Sequence, residues 1–322
     1  MFRFEEGKYY RFGLAMGLAN VVRNGFQLGT KKTLGKICQP INSYTRFPEY
    51  HFLGTQIEDY LTRLEASHKP RVLDVGSPKC FGLYLAFHFD IEIRLTDIDA
   101  ASVREAETLW QAIKDRAKGT ALFSTQDARS LKYPDEQFHI TYSMSAVEHV
   151  EGDAGDSDSV REMLRVTKPG GLLLLTVPIG GSYVEQERTG FQGAARETGD
   201  GKRYFFQRVY TPASARQRII KAASGATLRR AVTISRKNGP VSSLYRRLGP
   251  NLRGLIGTIN PVLSVALNAR REGILPARSD YGILHSASDV CGDLMLAWEA
   301  GRTAPAAVPG QIPVVGSGNW GY

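Results

Sequence analysis

The sequence predicts an α/β fold: a mostly parallel sheet with helices on both faces, an N-terminal helical extension, and an insertion before the last strand. Three observations carry this. Short apolar runs alternate with helix-length segments between residues 71 and 177, which is the pattern of βαβ units. Acidic residues close or follow three of those runs, at Asp74, Asp97 and Asp127, and parallel sheets bind ligands outside the carboxyl ends of their strands. The chain has 322 residues, 42% hydrophobic and 23% charged, enough for a sizeable core. That composition excludes collagenous, wholly disordered and polytopic membrane proteins.

Taken in order, residues 1–69 read as a helical extension or lid, with Lys8–Gly25 periodic, a polar turn-rich segment around Gln39–Glu49 and a structured loop over Asn42–Tyr50. Residues 70–236 form the core. Its first strand, Arg71–Val75, runs into Gly76-Ser77-Pro78 and a helix to Phe89, with Ser77 as N-cap and Pro78 at the first helical position. Ile91–Thr96 is the second strand, and Asp99 caps the helix that follows, to about Lys118. Ala121–Ser124 and Phe138–Ser143 are the third and fourth strands. Ser157–Arg165 is helical, Lys168–Gly171 a turn, and Leu172–Val177 the fifth strand. A Gly-rich polar loop spans Gly180–Lys202, followed by a helix at Thr211–Ala223 and a strand at Thr227–Ser235. Residues 237–289 read as a basic helical insertion, 290–300 as the last strand, and 301–322, rich in Gly and Pro, as a disordered tail.

Charge sits in the flanks. The net charge is +9, yet residues 71–236 hold 23 basic against 21 acidic side chains. Cys38, Cys80 and Cys291 are too scattered for a zinc site or a disulfide framework, which suits a reducing, cytoplasmic setting. The uncharged runs Phe12–Val22 and Gly254–Ala269 are too short to span a bilayer.

The chemistry concentrates at the strand ends. Asp97 lies 21 residues past Gly76, near the ~20 expected of an acid that accepts from ribose hydroxyls. A carboxylate suits a diol because it takes two hydrogen bonds side by side. Asp127 is placed to accept from an exocyclic amine. Helix capping is the competing role for such acids, and Asp99 is read that way.

Four segments in this order, VLDVGS, LTDID, QDARSLKYPDEQFHITYSMSAVEHV and LRVTKPGGLLLLTVP, resemble the class I S-adenosylmethionine-dependent methyltransferases, in the methyltransferase type 11-like branch. The resemblance covers about residues 71–178 and, more loosely, 204–235 and 292–299. It implies a Rossmann-like seven-stranded sheet ended by a hairpin, with S-adenosyl-L-methionine as cofactor. Carried over, Asp74, Gly76, Ser77 and Pro78 form the first-strand turn beside the methionine part. Asp97 takes the ribose and Ile98 packs on the adenine. Asp127 and Ala128 meet the adenine amine, and Ser143 and Met144 flank the sulfonium.

The sequence departs from the family pattern twice. The usual acid-x-Gly-x-Gly-x-Gly keeps only its first glycine, because Pro78 and Cys80 stand at the other two positions. The acid that completes a magnesium site in some relatives is replaced by Ser145, so no metal is expected. His149 matches a histidine at the active-site mouth and is the candidate base, with a purely packing role as the alternative. His88 and His139 read as structural.

The expected reaction is O-methylation of a sugar, glycan or lipid-linked hydroxyl. The motive is a set of aromatics suited to sugar stacking (Tyr44, Phe47, Tyr50, Tyr204, Phe205, Phe206 and Tyr210), together with the basic insertion. Arginines over 237–271 would either rest peripherally on an anionic inner membrane face or lie in water on a substrate lid. A cofactor-binding but non-catalytic scaffold is the alternative function. Nucleic acid is not expected as a partner, because the core is nearly neutral.

Overall fold

In the computed structural model, residues 6–24, 47–65, 68–189, 203–235 and 290–301 are described. Two helices lead, α1 (Glu6–Asn24) and α2 (Phe47–Arg63). The core follows as β1 (Arg71–Val75), α3 (Lys79–His88), β2 (Glu92–Asp97), α4 (Ala100–Gln111), β3 (Thr120–Thr125), β4 (Phe138–Met144), α5 (Gly155–Val166) and β5 (Thr167–Gly180). Then come β6 (Val184–Thr189), β7 (Arg203–Val209), a short α6 (Pro212–Ala215), β8 (Ala226–Ser235) and β9 (Val290–Ala300).

Seven strands form one sheet in the order β3-β2-β1-β4-β5-β9-β8. The first five pair in parallel, and β9 runs antiparallel to both β5 and β8. The fold is therefore the mostly parallel, Rossmann-like sheet expected. The chain order reverses between β1 and β4, where adjacent crossovers leave on opposite faces and open a crevice at the strand ends.

Strand periodicity explains the two-sided core. Val72, Ile140, Tyr142, Leu172 and Leu174 face one cluster, while Leu73, Leu173 and Leu175 face the other. Both faces are covered, so the strands read as near-continuous apolar runs. On the first face the N-terminal helices are part of the core. Tyr9, Met16, Tyr50, Leu53 and Ile57 are buried with Phe81 and Ile93, and the Tyr9 ring lies 4.5 Å from that of Tyr50.

Several local expectations change. Phe47–Tyr50 belongs to the first turn of α2 rather than to a loop. Helix α3 starts at Lys79 with Pro78 at its cap and no side-chain cap bond; the Ser77 hydroxyl is spent on the Met144 amide instead, at 2.9 Å. The Lys168–Gly171 turn is a bulge inside β5, since the register jumps from Phe138–Thr167 to Ile140–Leu172. The stretch read as a polar loop contains β6, which pairs with β7 in a separate antiparallel ribbon. The helix expected at Thr211–Ala223 is one α-turn, started by a Thr211–Ser214 capping box, that passes into a π-helical turn over Arg216–Ile220. Asp99 caps α4 as expected, accepting from the Ala101 amide at 2.9 Å. The insertion and the tail lie outside the described residues, and with them the arginines over 237–271.

Candidate active site

A cavity of about 580 Å³ opens at the carboxyl ends of β1, β2, β3 and β4, within the size range of small-molecule sites. Gly76, Ser77, Pro78, Asp97, Ile98, Asp127, Ala128, Ser143 and His149 line it. Two expected residues do not. Asp74 is fully buried beneath the floor, and Met144 points into the core cluster. Both sit on strands one position away from the residues that reach the opening, because alternate strand side chains face opposite ways.

Gly76 has φ +71°, and a Cβ there would fall 2.9 Å from Ala146 Cβ. The retained glycine is the one the backbone needs, since only glycine enters that conformation without cost. Hydroxyls tie the turn to β4: Ser143 Oγ donates to the Val75 carbonyl at 2.7 Å, and Ser77 Oγ accepts from the Met144 amide.

At the start of α3, Lys79 reaches under this turn. Its Nζ lies 2.9 Å from Asp74 Oδ1, 2.9 Å from the Ser77 carbonyl, 2.7 Å from the Thr96 carbonyl and 3.3 Å from Asp97 Oδ2. Burial pushes the Asp74 carboxyl above its ordinary value; Lys79 opposes that shift and the Asp97 charge adds to it. A cation at a helix N-terminus runs against the helix dipole, a local oddity by which the sequence flags Lys79.

Asp97 keeps acceptor capacity. Oδ1 takes the Asp99 amide at 3.1 Å and Oδ2 lies in an ion pair with Lys79 at 3.3 Å, leaving acceptor capacity on each oxygen for two hydroxyls. Ile98 is 64% exposed at the cavity wall, an apolar face suited to a flat ring. Asp127 lines the cavity with its carboxylate already paired. Arg129 takes both of its oxygens, with Nε at 3.0 and 3.1 Å and an Nη at 2.7 Å, and this pairing holds the Asp127 carboxyl below its usual range. An exocyclic amine would have to share that carboxylate with a guanidinium.

His149 stands on a 3₁₀ turn over Val147–His149 after β4. Its Nδ1 lies 2.6 Å from the Phe206 carbonyl oxygen. A carbonyl only accepts, so Nδ1 carries a hydrogen, and in the neutral ring Nε2 bears the lone pair. Nε2 lies 3.8 Å from Glu148 Oε1. Phe205 and Phe206 bring the β6–β7 ribbon to the cavity wall. Two other expected aromatics are not available there: Tyr50 is buried in the core, and Tyr210 is buried with its hydroxyl donating to Asp156 at 2.8 Å. Tyr44 lies outside the described residues.

Sequence reasoning missed a second buried acid. Glu49, from the first turn of α2, is 2% exposed and accepts from Ser145 Oγ and Thr176 Oγ1, each at 2.5 Å. Ser145 lines the cavity and has φ +43°. No motif spacing points to Glu49. His139 and His88 have structural surroundings: His139 Nδ1 accepts from the Arg71 amide at 3.0 Å, and the His88 ring packs among Phe12, Tyr84 and Phe87. Among the described residues, no group of three or more His, Cys, Asp or Glu is placed to hold a metal ion.

Residues 73–175 match a family model described as a methyltransferase domain. Together with the sheet order, this makes residues 73–175 similar to a methyltransferase domain set in a Rossmann-like sheet. Among solved structures, the chain is similar to the cyclase SpnF at 20% identity, over 77% of this chain and 82% of that one, with a TM-score of 0.44. It is similar to a methyltransferase from Methanosarcina mazei at 16% identity, over 76% and 97%, with a TM-score of 0.47. It is also similar to a putative sarcosine dimethylglycine methyltransferase from Galdieria sulphuraria at 14% identity, over 79% and 86%, with a TM-score of 0.46.

Proposed function

We propose that the protein moves a methyl group from S-adenosylmethionine to a hydroxyl oxygen of a sugar, glycan or lipid-linked acceptor. The cavity suits the cofactor on three counts: the left-handed Gly76 turn, the two acceptor positions left on Asp97, and the exposed face of Ile98. Asp97 would hold the ribose diol, Ile98 the adenine face, and Gly76 with Ser77 and Pro78 the methionine end. When bound, the cofactor supplies an electrophilic methyl group, so the protein's task is alignment.

The observation that carries the choice of oxygen is the tautomer of His149. With Nδ1–H directed to the Phe206 carbonyl, the neutral ring carries its lone pair on Nε2, which would take the proton of a hydroxyl as the oxygen attacks. An amine loses its proton readily and has less need of such a base. Phe205 and Phe206 on the same wall would cover the apolar face of a sugar ring.

Peripheral contact with an anionic membrane through 237–271 belongs to the same reading, since a lipid-linked acceptor would lie at that surface. It rests on the charge of the insertion alone. No helix among the described residues is long and apolar enough to cross a membrane.

The test is release of S-adenosylhomocysteine with a panel of sugars, glycolipids, amines and carboxylates as acceptors, the product being located by NMR. A new O-methyl resonance lost in His149→Ala supports the reading. A methyl group found on nitrogen or carbon overturns it.

A further inference from the structure

Lys79 lies between the two positions where the family pattern has glycine and this chain has Pro78 and Cys80. Its side chain is 7% exposed, and its three N–H bonds go to Asp74 Oδ1, the Ser77 carbonyl and the Thr96 carbonyl. No donor is left over for a ligand. The same ammonium faces Asp97 Oδ2 at 3.3 Å, and Asp97 is 19% exposed at the cavity. One cation thus joins the end of β1, the turn after it and the end of β2.

The effect falls on Asp97. A carboxylate on a strand end swings about its χ angles, and each free rotamer must be given up when a ligand binds. Here one oxygen accepts from the Asp99 amide and the other is drawn to the Lys79 ammonium by charge alone, an ion-pair contact at 3.3 Å, so the carboxylate is oriented before any ligand arrives. The other side chains at this cluster leave that role to Lys79. Asp99 caps α4, Thr96 Oγ1 donates to the Asp74 carbonyl at 2.7 Å, and Tyr142 on β4 faces Asp74.

We propose that Lys79 is a positioning residue for ribose recognition: its charge orients the Asp97 carboxylate so that the two oxygens meet a vicinal diol. The proposal deepens the cofactor reading above and rests on it. It also gives the altered turn a function, with a buried ammonium ordering the ribose acid from below. A strut that merely joined β1 to β2 would affect every ligand of the cleft alike. A positioning residue alters the discrimination between ribose and deoxyribose.

The experiment compares binding of S-adenosylhomocysteine and its 2′-deoxy analogue, by calorimetry, to wild type, Asp97→Asn, Lys79→Met, the double variant Asp74→Asn/Lys79→Met and Lys79→Met/Asp97→Asn. The Asp74→Asn/Lys79→Met protein removes both members of the buried pair, so no charge is left uncompensated if Lys79→Met alone fails to fold. Wild type should prefer the ribose ligand by about 10- to 100-fold, the range of a hydrogen bond to a charged group. The ratio should fall to about 3-fold or less in the Lys79 variants and in Asp97→Asn. Lys79→Met/Asp97→Asn should lose no further discrimination, because the two residues act through one carboxylate. A wild-type protein that binds neither ligand overturns the cofactor reading itself. Loss of discrimination in Asp97→Asn but not in either Lys79 variant leaves that reading intact and overturns the role of Lys79. Discrimination that survives Asp97→Asn places the diol elsewhere and overturns it as well.

Discussion

Glu49 accepts a hydrogen bond from Ser145 at 2.5 Å across 96 residues of chain. This contact brings the first turn of α2 to the end of β4, beside the cavity, and the same Glu49 oxygen also takes the Thr176 hydroxyl on β5. Helix α2 therefore supports the end of β4 beside the cavity.

Glu49→Ala should leave two hydroxyls without their acceptor and lower stability by about 1–3 kcal/mol. Glu49→Gln keeps a carbonyl oxygen and should cost less. Urea unfolding of the two variants gives the comparison, and equal losses would show that the carboxylate is not what α2 contributes.

Asp156 is fully buried and receives Arg218, Tyr210 and, at 3.9 Å, Arg208. Burial works against its charge, but the hydrogen bonds from Arg218 and Tyr210 and the Arg208 charge outweigh it and hold the carboxyl below its ordinary value. A depressed carboxyl stabilises the fold above its unfolded value of about 4 and loses that contribution as pH falls through the folded value. Asp156→Asn should cost about 3–5 kcal/mol at neutral pH, the cost of leaving a buried partner uncompensated. Its gap to wild type should narrow at pH 3 in urea titrations.

Gly76→Ala should fail at the cofactor turn. A non-glycine residue at positive φ costs about 1–2 kcal/mol, and the new methyl would meet Ala146 Cβ at 2.9 Å. Thermal unfolding should detect the loss, and S-adenosylhomocysteine binding should weaken beyond what reduced stability explains.

The Cys80 thiol is buried and its pKa is pushed up to about 12 by desolvation, against a hydrogen bond with Tyr9. At pH 8 it should stay almost wholly protonated and unreactive in the folded protein. Peptide mapping after alkylation should find it modified only when denaturant is present.

His149→Ala should lower turnover by about 10²–10⁴-fold, the usual contribution of a general base, with S-adenosylhomocysteine affinity little changed. A matching loss of affinity would make the ring a packing element under the cofactor instead.

The alternation of apolar runs with helix-length segments, the turn chemistry of Gly76 and the acids at strand ends are local properties. From them the parallel sheet and the placing of Asp97 at its crevice could be read directly, while Ile98 and His149 are placed there by the family resemblance. The tertiary structure decided which side chains those acids meet. Asp127 faces Arg129, Asp97 faces Lys79, and Ser145 faces a glutamate from α2. It also decided that a glycine-rich stretch holds β6, and that Asp74 and Met144 turn away from the opening. The physical reason is range. Strand period and turn preference act over a few residues, whereas ion-pair and hydroxyl partners are set by strand register and helix packing between segments far apart in the chain.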